Sequence, residues 1–164
     1  MCKMTNFEKI QAFVYQEARH LDDKQWDEWL QLYDENVQFW MPSWDDEDNL
    51  TTNFETEISL IYYPNRNGLE DRVFRIRTER SSATLPDTRT NHVISNIEIL
   101  EENEAEVQLR FNWNTFSFRY NTLDQFFGVS FYTLKKTADS FLISNKKVIL
   151  KNDYIRQVLD IYHI

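Results

Sequence analysis

Strict alternation of apolar and polar residues marks the segment from Ala105 to Asn114. Its apolar members recur at every second position and are Ala105, Val107, Leu109, Phe111 and Trp113. A period of two predicts a strand with one buried face and one wet face. The phase then reverses, because Phe116, Phe118 and Tyr120 are apolar. A reversal within one strand predicts a β-bulge between Asn114 and Phe116, which bends the strand.

The whole region from Asn91 to Asn152 reads as four such strands. They are predicted at 91–100, 104–120, 125–135 and 141–151, and short polar turns join them. Connections this short force antiparallel neighbours. Long, bent strands form a curved sheet, whose concave side must be filled. Some strands are apolar on both faces, as with Phe126 beside Phe127. Since one layer of helices covers one face, the other face is predicted to contact another chain.

Two amphipathic helices are predicted before the sheet. The first is capped by Thr5 or Asn6, and its apolar residues Phe7, Ile10, Phe13, Val14 and Leu21 share one face. The second is capped by Asp22 or Asp23. Its inward-facing residues are predicted to be Trp26, Trp29, Leu30 and Tyr33. The economical arrangement packs both helices in the concave face of a strongly curved, mainly antiparallel sheet, an α+β architecture.

Shorter elements complete the predicted outline. A first strand covers Val37–Met41 and stops at Pro42, and a helix carries Leu69, Val73 and Ile76 on one stripe. Residues 81–89 are predicted to form a loop around Pro86. The apolar ending Ile161–Ile164 is predicted to pack rather than fray.

Length and charge narrow the class of protein. The 164 residues predict a single domain, 1–164. The net charge of −9 disfavours nucleic acid and anionic membranes as partners. Cys2 is the only cysteine, and no apolar run approaches the ~18 residues of a membrane span. We therefore expect a soluble protein of the reducing cytoplasm.

Arginine is concentrated in one segment of this acidic chain. Six of the ten arginines lie between positions 66 and 89: Arg66, Arg72, Arg75, Arg77, Arg80 and Arg89. Planar guanidinium groups pair well with carboxylates at protein interfaces, so these six are candidate interface residues. The alternative is an internal network with Glu70, Asp71, Glu79 and Asp87. The sequence leaves both open.

Residues able to perform chemistry are scarce. His20, His92 and His163 stand about seventy residues apart, and the acidic run Asp45–Asp48 lacks the alternating spacing of a calcium loop. One cysteine cannot hold an iron–sulfur cluster, and no Gly-rich phosphate loop is present. His92 opens a strand and could act as an acid–base group beside Asp71 or Tyr62. The alternative is a hydrogen-bonded structural histidine.

Several segments resemble the small (beta) subunits of aromatic-ring-hydroxylating dioxygenases, in the benzoate and toluate 1,2-dioxygenase branch. The likeness runs from about Phe13 to the end of the chain. It is carried by EISLIYYPNR (57–66), GLEDRVFRI (68–76), RTERSSAT (77–84), PDTRT (86–90), RFNW (110–113), LKNDYI (150–155) and DIYHI (160–164).

The resemblance implies a fold and a set of partners. It implies a cone-shaped, nuclear-transport-factor-like fold, in agreement with the architecture above. It implies assembly with a large (alpha) subunit as three large and three small chains. The Rieske 2Fe-2S cluster, the mononuclear iron and the substrate would belong to the large subunit, so no cofactor, metal or catalytic residue is expected on this chain. Electrons would come from NADH through a separate reductase, and the complex would convert benzoate or a related acid to a cis-diol.

A different class of function remains open from the residues alone. A cone fold with an internal cavity could be a stand-alone isomerase or dehydratase using His92 and a carboxylate. Turnover by the isolated chain would distinguish this alternative from a non-catalytic subunit.

Overall fold

The computed structural model describes residues 4–81 and 87–164, with the side chains of residues 79–81 excepted. The helices are α1 (Asn6–Asp22), α2 (Trp26–Leu30) and α3 (Arg66–Ser81), and a 3₁₀ turn covers Ile161–His163. The strands are β1 (Tyr33–Pro42), β2 (Ser59–Tyr63), β3 (Arg89–Glu102), β4 (Glu106–Arg119), β5 (Thr122–Lys136) and β6 (Phe141–Leu150). The predicted loop around Pro86 lies largely outside the described residues.

All six strands form one sheet in the order β2-β1-β6-β5-β4-β3. Strands β3 to β6 pair as antiparallel neighbours, as their short connections predict. Strand β1 pairs parallel with β6 and antiparallel with β2. The parallel pair was not predicted, because its strands are separated by about a hundred residues and no local signal joins them.

The predicted bulge in β4 is wrong. The register between β4 and β5 runs without a shift from Glu106 opposite Lys135 to Arg119 opposite Thr122. The phase reversal has another cause: polar Thr115 and Ser117 continue the buried inner face, whereas Phe116 points outward. On its other side, β4 pairs with β3, and there the register shifts between Ser95 and Glu98 and again between Ile99 and Glu101.

The helices pack on the inner face of the sheet and close one hydrophobic core, which confirms the predicted α+β arrangement. Helix α1 buries Ile10, Phe13, Val14 and Leu21, and the Phe13 ring meets Phe141 of β6 edge-on at 5.7 Å between centroids. Helix α3 buries the predicted stripe Leu69, Val73 and Ile76 in the same core. The sheet's inner side is therefore filled along most of its length.

The predicted capping residues match the observed helix ends only in part. Thr5 caps α1 through a reciprocal capping box with Glu8, as predicted. The predicted cap of α2 is wrong, because Asp22 ends α1, Asp23 follows as its C-cap, and α2 begins after Gln25 without a side-chain cap. The five-residue α2 also ends before Tyr33, which opens β1 instead.

The C-terminal segment returns to the core after β6, as predicted. Asp160 accepts hydrogen bonds from Arg72 of α3 and from the backbone N–H of Ile161. Ile161 and Ile164 are buried in the same core as the helices. The segment is thus fixed at α3 by a charged pair and in the core by its apolar side chains.

Candidate functional site

The sheet face turned away from the helices, called the outer face below, carries large apolar side chains in contact with solvent. Its exposed members come from three adjacent strands: Val93 on β3, Phe118 on β4, and Leu123 and Phe127 on β5. Neighbouring residues show the division of the sheet, since Phe126 is 2% exposed and Phe127 is 43% exposed. Exposed apolar surface grouped in this way is typical of a protein–protein contact.

The six candidate arginines have different surroundings. Arg66 donates to Glu70 at 2.9 Å and to the backbone carbonyl of Tyr33 at 3.3 Å. Arg77 pairs with Asp27 at 2.7 Å, and Arg72 pairs with Asp160. Arg75 and Arg89 are exposed, and the side chain of Arg80 lies outside the described residues. The internal network thus exists in part, with Asp27 and Asp160 as partners that the sequence did not indicate.

A buried ion pair occupies the interior between helix and sheet. Lys146 of β6 lies 3.0 Å from Glu17 of α1, and both side chains are almost fully shielded from solvent. Glu17 Oε1 also accepts from Trp29 Nε1 at 2.9 Å and from the Tyr33 hydroxyl at 2.6 Å. Tyr132 donates to the other carboxylate oxygen at 3.3 Å. The carboxylate is therefore fully satisfied by donors.

These contacts set the charge state of the pair. Burial would raise the pKa of Glu17, but the Lys146 charge and the donated hydrogen bonds lower it below its usual range. Burial lowers the pKa of Lys146, and the Glu17 carboxylate opposes that effect. The arrangement supports structure rather than proton transfer, because every oxygen of Glu17 is engaged. Sequence reasoning missed it, although a glutamate on the apolar face of α1 was a usable signal.

His92 lies at the inner face of β3 with a carboxylate partner. Its Nδ1 is 2.6 Å from Asp22 Oδ1, and its backbone N–H donates to Asp22 Oδ2 at 2.9 Å. Burial would raise the pKa of Asp22, but hydrogen bonds from His92 and Thr90 lower it on balance. The predicted partners were wrong: Asp71 is exposed on α3, and Tyr62 stacks on Phe54, away from His92.

The other two histidines have structural contacts. His20 Nδ1 lies 2.6 Å from the side-chain carbonyl of Gln25, and His163 Nδ1 accepts from the backbone N–H of Asp160 at 3.0 Å. Across residues 4–81 and 87–164, no three His, Cys, Asp or Glu side chains converge as metal ligands would. Within the same ranges, no helix has the length and apolar content needed to cross a bilayer.

The acidic run Asp45–Asp48 is exposed to solvent. Asp45 accepts from the backbone N–H groups of Glu47 at 2.9 Å and Asn49 at 2.8 Å, which stabilises a local turn. Those hydrogen bonds lower its pKa. The run therefore shapes a loop.

Sequence comparison places the chain among known proteins. The family model for the ring hydroxylating beta subunit matches residues 16–157. The chain is 58% identical to toluate 1,2-dioxygenase subunit beta of Pseudomonas putida, over 97% of this chain and 98% of that protein. It is 59% identical to benzoate 1,2-dioxygenase subunit beta of Acinetobacter baylyi, over 97% and 94%.

Structural comparison agrees. The crystal structure of the beta subunit of benzoate 1,2-dioxygenase from Burkholderia mallei superposes with a TM-score of 0.86 at 53% identity, covering 99% of this chain and 100% of that one. The nuclear-transport-factor-like cone implied by the resemblance is confirmed, and the stand-alone isomerase or dehydratase is not favoured. The chain belongs to the family of ring-hydroxylating dioxygenase beta subunits.

Proposed function

We propose that this chain is the non-catalytic small subunit of a dioxygenase that cis-dihydroxylates benzoate or a closely related aromatic acid. The observation that carries the proposal is identity of 58% and 59% to toluate and benzoate 1,2-dioxygenase beta subunits over nearly the whole chain. Its role is to hold large subunits and copies of itself in an assembly of three large and three small chains.

The outer face supports an assembly role. It exposes aromatic and aliphatic side chains on three neighbouring strands, where a protein acting alone would expose polar ones. On the inner side, the Glu17–Lys146 pair and the C-terminal segment fill the space between α1 and β6. Arg75 and Arg89 are well placed to reach a partner, since both are exposed; Arg77 is exposed too but pairs with Asp27. Arg66, Arg72, Arg77 and Arg80 remain candidates at the same interface.

Redox chemistry would then lie on other chains. The large subunit would hold the Rieske 2Fe-2S cluster, the mononuclear iron and the aromatic acid. A separate reductase would deliver electrons from NADH, and the assembled complex would act in the cytoplasm. The small chain would contribute rigidity, which its single core and its buried, satisfied ion pair provide.

Co-expression with a candidate large subunit tests the proposal. We expect the tagged small chain to recover a larger chain carrying a Rieske cluster, and the pair to oxidise benzoate when a reductase and NADH are supplied. The isolated small chain should contain no stoichiometric iron and should oxidise nothing. Iron bound by the isolated chain, or turnover without the large subunit, would contradict the proposal.

A further inference from the structure

In the described part of the chain, β3 is the last strand on its side of the sheet, and it is 14 residues long. The free edge of a strand carries N–H and C=O groups that can pair with a strand of another chain. His92 lies opposite Thr115 of β4, yet its backbone N–H donates to Asp22 of α1. The backbone N–H groups of His92 and of the alternate residues Thr90 and Ile94 therefore face away from β4, toward the edge.

Asp22 lies at the middle of this edge. Its Oδ2 accepts from the His92 backbone N–H at 2.9 Å, and its Oδ1 accepts from the Thr90 hydroxyl at 3.0 Å. The His92 ring makes a third contact, with Nδ1 2.6 Å from Oδ1. Burial raises the pKa of Asp22, but the contacts with His92 and Thr90 lower it on balance, so the carboxyl group is ionised at neutral pH. This charge lies where the carbonyl oxygen of an added strand would have to lie.

Helix α1 contacts the edge strand at both of its ends. Asn6, the first residue of the helix, donates through Nδ2 to Glu102 Oε1 at 2.6 Å, and Glu102 is the last residue of β3. Asp22, the last residue of the helix, binds β3 near its beginning. The helix therefore runs alongside β3 in the opposite direction, and this packing fixes the position of Asp22.

The remainder of the edge is irregular. After Ser95 the register of β3 with β4 shifts twice, and Asn96 has a left-handed backbone conformation with φ of 54°. Irregularities of this kind bend and twist an edge strand, which opposes pairing with another chain. The regular part of the edge is residues 89–95, and Asp22 binds at its middle.

We propose that Asp22 prevents the β3 edge from pairing with the β3 edge of a second copy of this chain. Two identical edges can pair as antiparallel strands about a two-fold axis. The carboxylate occupies the N–H that such a strand would need, and its charge repels the incoming carbonyl oxygens. Association of the chain is thereby restricted to other surfaces, such as the outer face.

The isolated full-length chain tests this proposal independently of the large subunit. Asp22→Ala removes all three contacts, so sedimentation velocity should show a concentration-dependent shift to species larger than those of the wild type. Hydrogen exchange of residues 89–95 should slow as the protein concentration rises, because a paired edge is protected. Adding Ser95→Lys, on the exposed side of β3, should restore the wild-type distribution, since a lysine on an edge strand opposes pairing. A folded Asp22→Ala chain that sediments like the wild type, or larger species without slower exchange at 89–95, would overturn the proposal.

Further variants separate the edge from a general loss of stability. Asp22→Asn keeps an acceptor for the His92 N–H but replaces the charge with an amide N–H, which can donate to an incoming carbonyl. It should self-associate more than the wild type, and it provides the test if Asp22→Ala does not fold. Asp23→Asn makes the same change at an exposed neighbour, and Thr5→Ala removes the α1 cap; both should sediment like the wild type. Wild-type sedimentation of Asp22→Asn, or equal self-association of the two control variants, would contradict the role of Asp22.

Discussion

Glu17, a charged residue on the apolar face of α1, is buried in the core, where it pairs with Lys146. The pair is desolvated, and its stability depends on both charges being present together with the donors from Trp29 and Tyr33. The apolar periodicity of α1 identified the buried face but gave no partner for Glu17. That partner is 129 residues away in the chain, where local patterns carry no information.

Removing one charge of this pair is predicted to be costly. Lys146→Met should lower the free energy of unfolding by about 3–5 kcal/mol, because it leaves an uncompensated carboxylate in the core. The double variant Glu17→Gln/Lys146→Met should recover much of that loss. Lys147→Met is the control, since Lys147 lies over the Trp40 ring on the outer side. Urea unfolding measures all of them; a neutral Lys146→Met would contradict the buried pair.

His163 gives the fold a specific dependence on pH. Its folded pKa of about 4 is below its ordinary value of 6.5 because burial disfavours the charged ring. The unfolded chain therefore binds the proton first as pH falls, and stability decreases between about pH 6.5 and 4, by roughly 3 kcal/mol in total. Glu17 and Asp22, whose pKa values are lowered, lose their contribution only below their ordinary values of 4.5 and 3.8.

The variant His163→Asn separates these contributions. Its side-chain oxygen can still accept from the Asp160 backbone N–H, but it does not titrate. Denaturant unfolding at several pH values should show a flatter stability profile between pH 6.5 and 4 for the variant, with the steep loss below pH 4 retained. Parallel profiles in the upper window would show that His163 is not buried and neutral.

At the level of elements, sequence patterns within one strand or helix predicted that element correctly in most cases. They did not predict which distant elements pack against each other. Thr5 as a cap, the α3 stripe and the antiparallel order of β3 to β6 all rest on local signals. The parallel pairing of β1 with β6 joins strands far apart in the chain, so no local pattern predicts it. The reversal in β4 was ambiguous, because a bulge and a polar patch on the inner face produce the same pattern.

The C-terminal segment offers a test at this scale. Arg72 of α3 donates to both carboxylate oxygens of Asp160, in addition to any contact with a partner chain. Arg72→Glu should place two carboxylates together and lower the free energy of unfolding by about 2–3 kcal/mol. Hydrogen exchange should increase across residues 153–164. Arg75→Glu, an exposed change on the same helix, should leave exchange there unchanged; equal behaviour of both variants would exclude the Asp160 pair as an anchor.

At the level of the whole molecule, the two sides of the sheet have different roles. The inner side is closed by helices and the C-terminal segment, and the outer side exposes apolar residues. Apolar residues on both faces of the strands predicted an apolar outer side, whereas the structure shows that Phe126 faces inward and Phe127 outward. The sequence could not assign the individual arginines, because their partners Asp27 and Asp160 lie on distant elements.

The role of the outer face is tested most directly by comparing how two matched variants assemble with the large subunit. Phe127→Glu and Phe7→Glu make the same change at positions of similar exposure, 43% on the outer face and 41% on α1. Sedimentation velocity of each small chain, co-expressed with the large subunit, measures the fraction in the full complex. We predict that Phe127→Glu reduces that fraction strongly while the chain stays folded, and that Phe7→Glu assembles like the wild type. Full assembly of the Phe127→Glu chain would contradict the outer face as an assembly surface.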